Sequence, residues 1–360
     1  MIDMEKIATS IVRHLGYLTV DETRCRRIKS PISSCNACIK VCPTDSVRIS
    51  QNRLEVGNCK ECGLCASVCP TGALTWREPS PLLLAKKLEE TIDKYQQAII
   101  YCSNAYKGKV SSLGIEVPCF GSISWENWLE VLIYGEKVKV LLPEGNCLNC
   151  SIGNIQYAWK QLVGEASQYI KRDLTIISRL KESKNIAKPN NIRFNKQRRM
   201  FLGAIVGELG RLPETISKNI FDKGQTSDES SIVYNNELMA ERRQVLLNVL
   251  NKHSDVTKRV MIETPIMIGN CYFCEACTIL CPQGALRQKQ ENGKVNLQLN
   301  PVVCSGCGLC AELCFHKAIQ MKSVQLIELN DKEVLIEGQE FLCRKCGNKY
   351  VAVEQSCPMC

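Results

Sequence analysis

Closely spaced cysteines constrain the fold of this chain more than any other feature. Residues 59–70 read CKECGLCASVCP, which places four thiols within eleven positions. Several of these thiols are too close in sequence to pair with one another as disulfides. The chain has 24 cysteines among 360 residues, and its first stretch, MIDMEKIATSIVRHLGYLTV, lacks the pattern of a secretory leader. We therefore expect a cytoplasmic protein whose cysteines stay reduced and bind metal.

The spacing Cys-x2-Cys-x2-Cys-x3-Cys-Pro resembles the iron-sulfur run of bacterial ferredoxins. Four segments of the chain begin alike: CPTDSVRIS from Cys42, CPTGALTWR from Cys69, CPQGALRQK from Cys281 and CFHKAIQMK from Cys314. The members of each pair lie 27 or 33 residues apart, which is the length of one ferredoxin half. The sequence predicts two modules of the bacterial 2x(4Fe-4S) type, one on each side of a different middle region.

The second module contains two complete cysteine runs. In ferredoxins of this type the fourth cysteine of a run crosses over to the other cluster. The resemblance therefore implies one cluster on Cys271, Cys274, Cys277 and Cys314, and a neighbouring cluster on Cys304, Cys307, Cys310 and Cys281. Phe315 stands where the usual proline would follow the last cysteine.

The first module is irregular, because its first run has three cysteines instead of four. Crossing over gives one cluster a full set of ligands, namely Cys59, Cys62, Cys65 and Cys42, and leaves the other with Cys35, Cys38 and Cys69. Cys25 supplies the missing ligand if the loop around Pro31 returns toward the cluster. The alternative is a free thiol beside a three-iron or open-site cluster.

Between the modules, helical and strand patterns alternate. The segments AIIYC (98–102), IEVPC (115–119) and VKVLLP (138–143) are predicted strands, and PLLLAKKLEETIDKYQQ, WENWLEVLIYG and IGNIQYAWKQLVGEASQYI are predicted helices. This order indicates a small α/β unit with a parallel sheet. Its cysteines stand near strand ends, where such sheets carry their sites: Cys102, Cys119, Cys147 and Cys150.

Over residues 95–170 the order of these motifs resembles the delta subunit of methyl-viologen-reducing hydrogenases. The resemblance implies a 2Fe-2S cluster that passes electrons between a hydrogenase and a heterodisulfide reductase or similar flavoprotein. This chain departs from that family because it has the single Cys102 at the first position. Both 2Fe-2S and 4Fe-4S therefore stay open as the type of a further cluster. Structural thiols, or a redox dithiol at Cys147 and Cys150, are the alternatives.

The C-terminal residues Cys343, Cys346, Cys357 and Cys360 form two Cys-x2-Cys pairs with ten residues between them. This spacing is typical of a tetrahedral site of four thiolates. The segments CRKCGNKY and CPMC resemble a zinc ribbon or the shortened rubredoxin domain of rubrerythrins, which implies one zinc or iron ion. The residues before them are predicted to form a hairpin that turns near Asn330 and Asp331.

The predicted fold class is α+β multidomain. It comprises an N-terminal helix (1–20), a ferredoxin module (21–80), the hydrogenase-delta-like α/β domain (81–180), a basic helical linker (181–260), a second ferredoxin module (261–322), and a hairpin with the zinc-ribbon-like or rubredoxin-like tail (323–360). Residues 171–260 carry 18 Lys and Arg against 10 Asp and Glu, within a formal net charge of +9. Each bound 4Fe-4S cluster with its thiolates is negative, so the bulk charge does not indicate nucleic-acid binding.

The chain has no G-x-G-x-x-G, P-loop or H-E-x-x-H motif and no apolar run long enough to span a bilayer. We therefore predict an anaerobic polyferredoxin-type electron-transfer subunit with four 4Fe-4S clusters and no catalytic residue. It would relay low-potential electrons between a hydrogenase, formate dehydrogenase or heterodisulfide reductase and an acceptor. The alternatives are an oxidoreductase subunit with thiol-disulfide or cluster chemistry at the middle cysteines, and a redox-sensing regulator. We expect the middle site, if it holds metal, to be the junction between the two modules.

Overall fold

The computed structural model of the chain describes residues 17–180 and 239–360, except 109, 144–146, 148–149, 154, 292 and 326–332. Its helices are α1 (Arg26–Lys29), α2 (Ala37–Val41), α3 (Leu64–Ser67), α4 (Pro81–Tyr95), α5 (Trp125–Tyr134), α6 (Gln156–Ile170), α7 (Glu241–Lys252), α8 (Ser254–Thr257), α9 (Ala276–Ile279) and α10 (Leu309–Leu313). Single 3-10 turns occur at Glu22–Arg24, Phe120–Ser122 and Gly135–Lys137.

The strands are β1 (Leu18–Val20), β2 (Val47–Ser50), β3 (Arg53–Val56), β4 (Leu74–Trp76), β5 (Ala98–Cys102), β6 (Gly114–Val117), β7 (Val138–Leu141), β8 (Thr175–Ile177), β9 (Met261–Met267), β10 (Leu286–Glu291), β11 (Lys294–Leu299), β12 (Ile319–Gln325), β13 (Glu333–Leu342) and β14 (Lys349–Ala352). They form three two-stranded sheets and two four-stranded sheets. Helix and strand are mixed throughout the described chain.

The first ferredoxin-like region is built on two antiparallel strand pairs, β1 with β4 and β2 with β3. Its small core contains Val47, Leu54, Leu74 and Trp76, all buried. The structure differs from the helix predicted over residues 1–20 at the end of that range. Leu18–Val20 is an extended strand there and pairs with β4. Residues 1–16 lie outside the described part of the chain.

The middle region is a parallel sheet in the order β6-β5-β7-β8, as the alternating pattern predicts. Serine hydroxyls begin two of its helices: Ser80 accepts from the Leu83 N–H before α4, and Ser124 accepts from the Asn127 N–H before α5. In the parallel arrangement the carboxyl ends of β5, β6 and β7 lie at one edge of the sheet. Cys102 ends β5, and the loops that follow β6 and β7 carry the other three middle cysteines.

Helix α7 belongs to the same core as the middle sheet. Its buried face consists of Val245, Leu246, Val249 and Leu250. The helix lies within the predicted basic linker over residues 181–260, of which residues 181–238 lie outside the described part. The described helix begins at Glu241.

The predicted tail hairpin is wrong, because the strands on either side of residues 326–332 pair with different partners. Strand β12 pairs with β9, whereas β13 pairs with β11. The sheet of the second region therefore runs β10-β11-β13-β14 and joins the tail to the ferredoxin-like region. Burial of Phe273 explains this choice in part, since it packs against the face of Gly338 so closely that a Cβ there would lie 2.2 Å from its ring.

Candidate iron-sulfur centres

Two predicted ligand sets line cavities in the second ferredoxin-like region. The Cys271 set (Cys271, Cys274, Cys277 and Cys314) lines about 430 Å³ of empty space. The Cys304 set (Cys304, Cys307, Cys310 and Cys281) lines about 340 Å³. In each set the fourth cysteine comes from the other run, as crossing over requires. Four thiols that line one cavity form a donor set that fits a 4Fe-4S cubane.

In the first region, Cys25 lies near Cys35, Cys38 and Cys69, the three thiols that need a fourth cysteine to complete a ligand set. Burial raises the pKa of Cys38 to about 12, and the charges of Cys69, Cys35 and Cys25 contribute to this rise. The pKa of Cys25 is likewise raised by burial, then by Cys69 and Cys35. We name these four residues the Cys25 set. The structure brings them together, and ligation by Cys25 stays a prediction.

The remaining thiols of this region form the Cys59 set (Cys59, Cys62, Cys65 and Cys42). Burial raises the pKa of Cys62 to about 11, and Cys59 and Cys42 raise it further. Burial also raises the pKa of Cys65 strongly, with contributions from Cys62, Cys59, Cys38 and Cys42. Cys38 belongs to the Cys25 set, so the two sets of the region are neighbours.

These raised pKa values have two physical causes. Thiolates that share a pocket repel one another, and burial removes the water that would solvate them. Without metal these thiols would therefore stay protonated near pH 7. A bound metal cluster would supply the positive charge that lets all four ionise.

Main-chain N–H groups point at the sulfurs in a pattern that repeats between the runs. The N–H two residues after the first cysteine approaches its sulfur at Glu61, Phe273 and Gly306, with N···Sγ distances of 3.3, 3.4 and 3.5 Å. The crossing cysteines accept from Ser46, Ala285 and Ala318, each at 3.3 Å. Such bonds stabilise the negative charge of a cluster and its thiolates. Sequence reasoning missed these donors because they belong to the backbone.

The middle-domain set consists of Cys102, Cys119, Cys147 and Cys150. Cys102 is the last residue of β5, and the other three lie on the loops after β6 and β7. Cys102 and Cys119 are buried, and Cys102 donates to the Pro118 carbonyl at 3.2 Å. The interaction between the two thiols lowers the pKa of Cys102 to about 7 and raises that of Cys119 far above its usual value. Cys147 lies near both Cys102 and Cys150, whose charges raise its pKa after the larger effect of burial. All four thiols therefore belong to one edge of the sheet.

A buried indole supports an anionic group at this edge. Trp159 is fully buried, and its Nε1–H has no nitrogen or oxygen acceptor within the described residues. Its indole faces the Cys147 thiol instead and lowers the pKa of that thiol, against the larger effect of burial. A buried N–H donor that faces one of four thiols fits a metal-thiolate centre.

The C-terminal set places all four sulfurs around one point. The Sγ atoms of Cys343, Cys346, Cys357 and Cys360 lie within 4.8 Å of one another. The pairs 343–360 and 346–357 are separated by 3.6 and 3.8 Å. Tetrahedral zinc with Zn–S bonds of about 2.3 Å requires S···S distances of about 3.8 Å, so the geometry fits a single metal ion. Zinc and iron both suit it.

The middle-domain set lies against the Cys59 set. Cys62 contributes to the raised pKa of Cys119. A Cβ on Gly121 would lie 3.0 Å from the Cys62 carbonyl oxygen, and one on Gly63 would lie 2.4 Å from Ser122 Cβ. The loop after Cys119 therefore packs directly on the loop that carries Cys62.

The two ferredoxin-like regions also pack directly on each other. Gln283, two residues after Cys281, donates to the Thr71 carbonyl at 2.9 Å, two residues after Cys69. Arg26 forms an ion pair with Glu312 at 2.7 Å across the same contact. The Cys25 set and the Cys304 set are thus the neighbours. The expectation that the middle site joins the two modules is wrong, and that site lies at one end.

The far end of the row adjoins the C-terminal set. Cys277 contributes to the raised pKa of Cys310, which links the Cys304 set to the Cys271 set. Tyr272, next to Cys271, contacts Ser356 at 3.3 Å, next to Cys357. The sets therefore follow one another in the order middle-domain, Cys59, Cys25, Cys304, Cys271, C-terminal.

The contact between the middle-domain and Cys59 sets gives a stability prediction. Gly63 has a φ of +74°, and a Cβ there would overlap Ser122. We expect Gly63→Ala to lower the free energy of unfolding by about 2–4 kcal/mol, which combines left-handed backbone strain with overpacking. Gly308→Ala is a matched control, because Gly308 occupies the same motif position with φ +78° and its nearest neighbour is 3.8 Å away. Equal losses in denaturant unfolding of the two proteins would contradict the close packing.

Comparisons with known proteins agree with this geometry. Residues 270–318 match the 4Fe-4S dicluster domain family, and residues 55–75 match the 4Fe-4S binding domain family. The chain contains two 4Fe-4S ferredoxin-type domains. The prediction of two ferredoxin-type iron-sulfur domains is thereby confirmed at this level.

Curated relatives are similar to parts of the chain. Pyruvate synthase subunit PorD of Methanothermobacter marburgensis is 36% identical over 52 residues, which are 14% of this chain and 56% of that protein. PorD of Methanocaldococcus jannaschii is 43% identical over 49 residues, 14% of this chain and 54% of that protein. Dihydromethanopterin reductase (acceptor) of Methanosarcina mazei is 35% identical over 77 residues, 20% and 31% respectively. The chain thus spans about half the length of the PorD subunits and less of the reductase. No solved structure matches the chain significantly.

Proposed function

We propose that the chain relays low-potential electrons along one row of metal centres, from the middle-domain set through the Cys59, Cys25 and Cys304 sets to the Cys271 set. The observation that carries this proposal is the direct packing of the two ferredoxin-like regions through Gln283 and Thr71. It leaves no interruption between the ligand loops of successive sets. Cys25 is the fourth ligand of its set in this proposal, and the C-terminal set holds a structural zinc.

The chain's residues have defined tasks in such a relay. A bound 4Fe-4S cluster accepts and returns single electrons. The thiolates fix each cluster, the main-chain N–H groups stabilise its negative charge, and burial of Cys62, Cys65 and Cys69 excludes water. No step needs a general acid or base, which agrees with the absence of a catalytic motif from the sequence.

We infer that the partners are catalytic redox enzymes of the hydrogenase, formate dehydrogenase or heterodisulfide reductase type. The resemblance of the middle domain to the hydrogenase delta subunit supports this inference. The relatives' own names, a pyruvate synthase subunit and a dihydromethanopterin reductase, support a redox enzyme as the class of partner. No described helix combines the length and apolarity that a bilayer crossing needs.

The proposal predicts electron transfer without turnover. We expect the purified protein to be reduced rapidly by a low-potential donor such as reduced methyl viologen and to be reoxidised by an acceptor protein. Alone, it should not turn over hydrogen, formate, nicotinamides or disulfides. Stopped-flow absorbance and steady-state assays measure both. Catalytic reduction of a disulfide by the isolated protein would instead favour thiol chemistry at the buried Cys102 and Cys119 or at Cys147 and Cys150.

A further inference from the structure

Arg243 is a buried cation without a carboxylate partner. It is 8% exposed, and its guanidinium donates to the carbonyls of Pro301 and Val302 at 2.9 Å each, just before Cys304. No carboxylate of the described residues forms an ion pair with it. The adjacent Arg242 differs, because it pairs with Glu126 at 2.9 Å. An arginine stays charged when buried, so Arg243 needs an anion nearby.

The Cys304 set provides negative charge close to Arg243. Arg243 and Cys304 interact electrostatically, and the pKa of Cys304, which burial raises to about 11, is lowered in part by this arginine. A bound cubane with four thiolates would carry negative charge at this point. The charge of Arg243 is then compensated by the cluster, together with the Glu126 carboxylate, which forms its ion pair with Arg242.

A second arginine reaches the same set from the other ferredoxin-like region. Arg26 has a side chain that is 12% exposed, and one of its terminal nitrogens would lie 3.9 Å from a Cβ on Gly308, beside Cys307. It opposes the rise that burial causes in the pKa of Cys307. Its buried Nε–H has no partner within the described residues. Glu312 offsets part of its charge through the ion pair at 2.7 Å.

We propose that Arg243 and Arg26 raise the reduction potential of the centre on the Cys304 set, so that its reduced form is stabilised between transfers. Arg242 shows the contrast, because it donates to the Cys69 carbonyl of the Cys25 set at 3.0 Å but is paired with Glu126 at 2.9 Å. The charge of Arg243 has no such ion pair within the described residues. Reduction adds one negative charge to the centre, and nearby positive charge stabilises that form. The electron comes from the partner donor and leaves to the acceptor, and no bond forms or breaks.

The test is a redox titration of the loaded protein followed by electron paramagnetic resonance. The signal of this centre is assigned by its change in Cys307→Ser protein. Arg243→Met should lower the ratio of reduced to oxidised centre at least tenfold at a fixed potential, which is about 59 mV for one electron. Arg243→Lys keeps the charge and should shift the ratio much less, which separates charge from the two carbonyl hydrogen bonds.

Glu312→Gln tests the sign of the effect in a variant that keeps the buried arginines. Removing this carboxylate should raise the proportion of reduced centre, opposite to Arg243→Met. Arg172→Met is the matched control, because Arg172 also donates to a carbonyl, that of Ile133, at 2.9 Å and is exposed. The inference rests on the proposed relay, but the result that would overturn it differs from the result that would overturn the relay. Unshifted potentials in both Arg243→Met and Glu312→Gln would overturn it while leaving the relay intact.

Discussion

Cys25→Ser protein is expected to lose one 4Fe-4S cluster or to convert it to a three-iron form. Cys25 lies with Cys35, Cys38 and Cys69, and no other thiol of the described chain completes that set. Serine provides a poor ligand for iron compared with thiolate. The oxidised protein should show a new three-iron signal by electron paramagnetic resonance, or the iron content should fall by about four per chain.

Cys35→Ser is the comparison for this variant. Its loss of iron and its spectrum should match those of Cys25→Ser, because the two residues belong to one set. A changed Cys35→Ser spectrum beside an unchanged Cys25→Ser spectrum would mean that Cys25 is a free thiol near an open-site cluster. The row of centres would then contain one with an incomplete ligand set.

The double variant Cys147→Ser, Cys150→Ser is expected to slow electron transfer from a partner that docks on the middle domain by about 100-fold or more. Loss of outer-shell contacts alone often costs 10–100-fold at metal sites, and this change removes two predicted ligands. The four ferredoxin-type centres should keep their spectra, because the middle-domain set lies at one end of the row. Stopped-flow reduction by the donor enzyme measures the effect.

A small-molecule donor provides the control within the same protein. Reduced methyl viologen can reach the other sets directly, so its rate of reduction of the double variant should stay close to that of the wild type. The paired change Cys357→Ser, Cys360→Ser should leave transfer intact while destabilising the tail. Slowing with the donor enzyme in the tail variant alone would contradict the proposed entry point.

The spacing of the cysteines along the sequence predicted the ligand sets, whereas the order in which the sets follow one another depends on the fold. The crossing of Cys314 and Cys281 was implied by the resemblance to bacterial ferredoxins, whose cysteine loops are short. The parallel sheet followed from buried runs such as Ala98–Cys102 alternating with amphipathic helices. These features depend on neighbours in sequence, which is why they could be predicted.

Long-range contacts were not predictable in the same way. The hydrogen bond between Gln283 and Thr71 and the ion pair between Arg26 and Glu312 each join residues more than 200 positions apart. No periodicity or motif marks either pair. Arg243 belongs to the segment predicted to be a basic linker, yet its position on α7 against the loop before Cys304 buries it. The prediction of a hairpin was wrong for the same reason, because β13 pairs with the distant strand β11 and not with β12.

Iron content is the measurement that tests the four-centre relay most directly. Anaerobically purified and fully reconstituted protein should contain about 16 iron atoms per chain from four cubanes, with matching acid-labile sulfide, and two or more further iron atoms if the middle-domain set holds a cluster. Fewer than about 12 iron atoms per chain after full reconstitution would contradict it.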